Sequence, residues 1–238
     1  MKLTLYRPNL ARLQYPLQCL LCQKSYWGRS SLCPQCRQLM PYLDYASQCH
    51  QCGLVSAHSN LCDTCRIEPP AFTQTYVPLA YGGLTSLLLN QFKFHTNFSA
   101  GKALTQLWQD ALPKQVMGLY QDLDMIIPVP AHPQRIRKRG FHVTLWCARH
   151  ISGMLARPFV NTWVERPHLA PAQKYLDAQT RRCNVADAFQ VLQPQALHNK
   201  KLLLVDDVMT TGATLNALAE VCLDAGAKVC YVTALARA

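Results

Sequence analysis

Residues 201–215 read KLLLVDDVMTTGATL, and the order of parts in that stretch decides the fold. Leu202, Leu203, Leu204 and Val205 are an unbroken apolar run, which suits a strand in the middle of a parallel sheet covered on both faces. Two adjacent carboxylates, Asp206 and Asp207, stand at the end of that strand. Thr210, Thr211, Gly212, Ala213 and Thr214 then lead into a helix predicted over 214–225, with Gly226 as its cap. Ligands of open parallel sheets sit beyond the carboxyl ends of the strands, so this loop lies where ligands bind. Gly212 permits close backbone approach, the first free N–H groups of the helix attract an anion, and the threonine hydroxyls add donors. Two aspartates repel phosphate and must serve hydroxyl groups or a metal ion beside it. Phosphate on one side and a diol on the other describe a phosphorylated ribose. A plain strand-turn-helix with an Asp cap would leave the paired carboxylates without a reason.

Composition sets the frame around this stretch. A chain of 238 residues, half of them apolar, has room for one α/β domain and a smaller module. No run approaches the ~18 apolar residues of a membrane span, and Arg7, Pro8 and Arg12 interrupt any signal-peptide core, so no membrane insertion and a cytoplasmic location are expected. The net charge is +11, and residues 131–182 hold ten Lys or Arg against two carboxylates, Glu165 and Asp177. Such a concentration predicts a polyanionic partner, nucleic acid or pyrophosphate, against the alternative of a solvated basic face.

Eight of the twelve cysteines form four C-x-x-C pairs: Cys19/Cys22, Cys33/Cys36, Cys49/Cys52 and Cys62/Cys65. Each pair can point two thiolates at one tetrahedral metal, and two pairs close a site with no open position, so the role is structural. Soft sulfur ligands favour zinc, with an iron–sulfur cluster as the alternative. The near-equal spacings inside 19–36 and 49–65 favour two sequential sites; a cross-braced pairing is the other arrangement. His50 and His58 are read as surface residues, and Cys147, Cys183, Cys222 and Cys230 as ordinary thiols. Pro69 and Pro70 mark the boundary between a Cys-rich module, 1–68, and an α/β domain, 69–238.

Along the second domain, a strand is predicted over 75–81 and, after Gly82 and Gly83, a helix over 84–92 that ends at Lys93 and Phe94. Ser99 is read as the N-cap of a helix reaching Ala111. A strand over 125–129 runs into a basic loop, AHPQRIRKRG, at the same sheet edge as the aspartates. A helix over 144–155, a strand over 158–164, a helix over 177–187, an extended segment over 189–192 and a last strand over 228–235 complete the reading.

VDDVMTTGAT resembles the ribose-phosphate signature of type I phosphoribosyltransferases, which bind phosphoribosyl pyrophosphate (PRPP). The resemblance implies that Asp206 and Asp207 contact the ribose hydroxyls, that Thr210, Thr211, Gly212, Ala213 and Thr214 wrap the 5′-phosphate, and that Mg²⁺ accompanies PRPP. It also implies that Arg137, Lys138, Arg139 and Gly140 hold the pyrophosphate. With four C-x-x-C pairs, Lys93-Phe94, PVP followed by RIRKRGF, Arg166, Gln173, Arg181 and Asn184, nearly the whole chain resembles the ComF family of competence proteins and its GntX-like members. Family members commonly carry Asn-Gln after Arg-Gly-Phe, where this chain has His142 and Val143. The expected fold is therefore α/β, a type I phosphoribosyltransferase-like, doubly wound, mostly parallel sheet with a small N-terminal Cys-rich zinc module. The resemblance implies a role in DNA uptake during natural transformation. Expected partners are PRPP, single-stranded DNA met by the basic region with Phe141, Trp146, Trp163 and Tyr175, and a helicase or recombination protein. The alternative is an active phosphoribosyltransferase releasing pyrophosphate, for which no acceptor is legible.

Overall fold

A computed structural model describes residues 16–56, 60–167 and 188–238. The expected helix over 177–187, together with His58, Gln173, Tyr175, Arg181, Cys183 and Asn184, lies outside the described residues.

The α/β domain is built on four parallel strands. In chain order they are β1 (Gln74–Tyr76), β3 (Met125–Pro128), β4 (Lys201–Val205) and β6 (Val229–Thr233); in space they run β1-β6-β4-β3. Leu203 of β4 pairs with Ile126 on one side and Tyr231 on the other, so β4 is central, as its apolar run requires. Its side chains alternate between two cores. Leu203 and Val205 join Ile126 beneath helices α1 (Gly83–His95), α2 (Phe98–Asp110) and α5 (Val143–Leu155), whereas Leu202 and Leu204 join Ile127 and Val232 beneath α6 (Ala213–Asp224). Covering both faces is what makes the sheet doubly wound.

Three of the strands continue after a break into a second small sheet: β2 (Leu79–Ala80), β5 (Val208–Met209) and β7 (Ala236–Arg237), in the order β2-β7-β5 and again parallel. The strand expected over 75–81 is thus two strands. The break falls at Val77 and Pro78, because proline cannot donate to a ladder. In the third strand the break falls at Asp206 and Asp207, where the change of sheet lets both carboxylates leave the ladder.

Other boundaries move for local reasons. Helix α1 runs on through Lys93 and Phe94 to His95, and α2 is capped by Asn97, whose Oδ1 accepts from Ser99 N at 3.1 Å and Ala100 N at 3.2 Å. A further helix, α3 (Lys114–Tyr120), follows Pro113. The basic stretch is not a loop but a helix, α4 (Pro133–Arg139): Pro133 sits in its first turn, His132 Nδ1 accepts from Gln134 N, and Gly140 ends it at φ 81°. The strand expected over 158–164 is reduced to Val164–Glu165, paired antiparallel with Gln190–Val191, plus a bridge from Phe159 to Ile126.

The Cys-rich module is one design used twice. Cys19 and Cys49 each open a tight turn whose N–H and C=O are both used: Cys19 N bonds Lys24 O and Gln23 N bonds Cys19 O, while Cys49 N bonds Leu54 O and Gly53 N bonds Cys49 O. Gln23 and Gly53 take positive φ at the same place in each turn. Cys33 and Cys62 then stand at the N-caps of two short helices, Pro34–Gln38 and Asp63–Ile67. The module shares its core with the sheet domain, for Cys19, Leu32, Cys33, Met40 and Tyr45 pack in the same cluster as Tyr76, Leu88 and Trp108. Among the described residues no helix is long and apolar enough to cross a membrane.

Candidate functional site

The thiol sites are the simplest to assemble. Cys19, Cys22, Cys33 and Cys36 form one group and Cys49, Cys52, Cys62 and Cys65 another; within each, the sulfur atoms all lie within 4.8 Å of one another. Pairing is therefore sequential and not cross-braced. Main-chain donors already favour thiolates there: Cys33 N points at Cys19 Sγ and Cys36 N at Cys33 Sγ, each at 3.4 Å. Burial works against the Cys19 thiolate, yet N–H groups of Cys22, Cys33 and Leu21 hold its pKa down to about 6. A closed set of four sulfurs with converging donors fits a structural zinc ion in each group.

The second site lies where the sheet breaks. Asp206 and Asp207 project at the carboxyl ends of the strands into a cavity of about 220 Å³, lined also by Lys93, Arg135, Arg139, Phe141, Arg166 and Thr214. Asp206 Oδ1 accepts from Asp207 N at 2.7 Å, which turns the two carboxylates apart. Asp207 Oδ2 lies 3.0 Å from Lys93 Nζ, with both side chains largely buried. Burial, and next the charge of Asp207, push the pKa of Asp206 up to about 7, against the pull of Lys93 and Arg166. Behind the aspartates, Gly212 caps α6 at φ 82°; a Cβ there would meet Met209 Cε at 2.8 Å. Thr211 Oγ1 accepts from Ala213 N at 3.3 Å, and Thr210 and Thr211 are exposed at the mouth of this turn.

Helix α4 sorts the basic residues. Arg135 and Arg139, four positions apart, line the cavity, whereas Arg137 and Lys138 are exposed and outside its lining, and Gly140 ends the helix beyond it. Arg139 also stands over the exposed ring of Phe94, 5.7 Å from its centroid. His142 ties the segment down: its Nδ1 accepts from Leu145 N at 3.1 Å, and its Nε2 faces Ala131 N at 3.2 Å. Burial lowers the pKa of His142, and the neutral ring keeps one N–H, so only one of its two nitrogens accepts from a facing N–H at a time. Thr144 Oγ1 donates to Val129 O at 2.7 Å and anchors α5 to the end of β3. From the far side Arg166 enters over Phe189, 5.4 Å from that ring, and burial lowers its pKa.

Two cavity residues carry more than their motifs suggest. Lys93 follows Leu89 by four positions on the buried face of α1, and a lone lysine on such a face is the signal of a buried partner. Arg135 is the other, made visible once the basic stretch is recognised as a helix by Pro133 and Gly140. Of the aromatic residues offered for base stacking, Phe141 and Trp146 are half-buried in a cluster with Phe92, Phe98 and His150, and Trp163 is half-buried.

A double zinc ribbon domain matches residues 10–66, the span of both thiol groups. A DNA utilization protein YhgH from Escherichia coli O157:H7 is 31% identical over 232 residues, covering 94% of this chain and 99% of that protein. Competence protein F of Haemophilus influenzae is 27% identical over 231 residues, with 94% and 98% covered. A partial likeness to the glutamine PRPP amidotransferase of B. subtilis is too slight to build on, at 12% identity and a TM-score of 0.36 over 60% of this chain and 30% of that one. With full-length relatives at this identity and a double zinc ribbon ahead of a doubly wound parallel sheet, the chain belongs to the family of YhgH and competence protein F.

Proposed function

We propose that this protein binds PRPP at the sheet break and supports the handling of incoming DNA in transformation. The observation that carries the reading is the meeting, in one cavity, of an acidic pair and a ring of cations beside a glycine-capped helix start. The family supports the DNA role, since its members bear the names DNA utilization protein and competence protein.

Each part of PRPP has a matching partner. Residues 210–214 offer hydroxyls and the free N–H groups of α6 to the 5′-phosphate. Asp206 and Asp207 are hard oxygen donors facing the ribose hydroxyls and are the residues that would hold Mg²⁺, which neutralises pyrophosphate charge when bound. Arg135 and Arg139 stabilise the pyrophosphate with forked donors. Arg137 and Lys138, exposed on α4 outside the cavity lining, suit phosphates of a single strand or an acidic protein surface such as that of a helicase or recombination partner.

An active phosphoribosyl transfer is the second reading, favoured by Arg166, which stands over the Phe189 ring and lines the cavity together with Arg135 and Arg139. The bond from C1 to pyrophosphate would break, a nitrogen nucleophile would bond to C1 and lose its proton, and Arg135 and Arg139 would stabilise the departing charge. Titration calorimetry with PRPP and Mg²⁺, using Asp206→Asn with Asp207→Asn as control, tests the binding. No heat from the wild-type protein would overturn it. Incubation with PRPP and a panel of bases, followed by a pyrophosphate assay, separates the readings: turnover selects the transferase, and binding without turnover selects the ligand-sensing scaffold.

A further inference from the structure

Arg237, in the last strand, β7, has only 6% of its surface exposed, yet among the described residues no Asp or Glu side chain lies within ion-pairing distance of it. Its guanidinium is held by main-chain oxygens from two separate regions. Nε donates to Cys52 O at 3.2 Å, inside the second zinc turn; Nη1 donates to Met209 O at 3.0 Å, to Thr210 O, and to Ala238 O at 2.7 Å. Met209 and Thr210 are the residues that enter the phosphate loop.

The surroundings fix both ends. On the zinc side, the turn from Cys49 to Gly53 is pinned to β1, because Thr75 N donates to His50 O at 2.7 Å and Thr75 Oγ1 donates to Gln51 O. Gly53 itself takes φ 74°, and a Cβ there would meet Thr75 Cγ2 at 2.9 Å and Arg237 Cδ at 3.9 Å, so the turn packs tightly on Thr75 with the arginine stem beside it. On the loop side, Ala236 and Arg237 pair in parallel with Val208 and Met209, and Ala238 N donates to Met209 O at 2.9 Å. A buried guanidinium needs acceptors for its N–H groups, here oxygens of Cys52, Met209, Thr210 and Ala238, and it is further favoured by negative charge nearby. Zinc held by four thiolates carries a net negative charge, and the second thiol group is the acidic set that Arg237 touches through Cys52.

We propose that Arg237 is a positioning residue that couples the second zinc site to the phosphate loop: zinc on Cys49, Cys52, Cys62 and Cys65 sets the conformation of residues 209–214, and its loss releases them. Among the described residues no hydrogen bond joins the first thiol group to residues 209–214; Cys19, Cys33 and Cys36 pack instead in the core beneath α1 and α2. The proposal rests on reading 210–214 as the phosphate site. Thiol oxidation or zinc starvation would then loosen ligand binding at residues 209–214 with no change to the loop's own side chains.

The test needs no ligand. Amide hydrogen exchange of the full chain is compared for the wild type, a first-ribbon variant (Cys33→Ser with Cys36→Ser), a second-ribbon variant (Cys62→Ser with Cys65→Ser) and Arg237→Lys, which keeps the charge but not the fork. Exchange at residues 209–214 is expected to rise about tenfold in the second-ribbon and Arg237→Lys proteins and to stay near wild type in the first-ribbon protein, with β4 amides protected throughout. If a variant does not fold, stepwise chelation of the wild type, with metal release and loop exchange followed together, decides between the same outcomes. A loop that ignores the second zinc, or answers equally to both zincs, overturns the coupling. Failure of PRPP to bind would overturn the functional reading and leave this result standing.

Discussion

Lys93 Nζ lies 3.0 Å from Asp207 Oδ2, joining the C-terminal turn of α1 to the acidic pair across 114 positions of sequence. Both side chains are nearly buried, so each is the other's main compensation for leaving water. Removing only the cation, in Lys93→Met, strands a carboxylate in the cavity. We expect a loss of about 3 kcal/mol in urea unfolding. Adding Asp207→Asn should restore most of that loss without restoring PRPP affinity, and a double-mutant cycle measures the coupling.

Asp206 makes both stability and binding depend on pH. Its folded pKa, raised to about 7 by burial, exceeds that of an unfolded aspartate near 4, so the folded state holds the proton more tightly. Stability should fall as pH rises from about 4 through about 7 and level off above. Asp206→Asn should flatten that slope in urea midpoints measured across the range. In the proposed binding mode PRPP with Mg²⁺ uses the carboxylate, so affinity should move the opposite way, strengthening from pH 6 to 8 with release of a proton, seen as buffer-dependent heat.

Gly212 is a conformational requirement and a steric one together. Alanine at φ 82° costs about 1–2 kcal/mol, and its Cβ would displace Met209 Cε from 2.8 Å. Gly212→Ala should therefore lower the unfolding temperature by several degrees in calorimetry and weaken PRPP binding more than that loss alone explains.

The two roles proposed for the basic helix can be separated by substitution. Arg139→Ala should weaken PRPP binding by at least about tenfold, the scale of one lost charge-assisted bond. Arg137→Ala with Lys138→Ala should leave PRPP binding near wild type, because both lie outside the cavity, while lowering the salt slope of binding to single-stranded DNA by about one to two.

Metal analysis of the purified protein should return two zinc ions per chain, one for each group of four thiols. Cys33→Ser should remove one of them. Stripping both should unfold residues 16–67 first, followed by loss of near-UV signal from Tyr45 and Tyr76, which meet edge to face across the module boundary.

What the sequence determined by itself is local. The central strand, the acidic pair, Gly212 and the helix after it occupy twenty-four consecutive residues, 201–224, and their order follows from apolar run, charge and residue type. The C-x-x-C pairs are equally local, since two thiolates on one turn need only that spacing. The helix through Arg135 and Arg139 was not among these: expected as a basic loop, it forms because Pro133 starts it and Gly140 stops it. The partners of these pieces depended on tertiary structure. Which cysteine pairs share a metal, which face of α4 meets the cavity, and that Lys93 answers Asp207 all arise between segments far apart in the chain. Residue type constrains such meetings only weakly, because a lysine or arginine is usually solvated and becomes a partner only where packing removes the water. Arg237 is the plainest case: its residue type names no partner, and the fold sets it between the turn at Cys52 and the loop at Met209 and Thr210 that we propose holds phosphate.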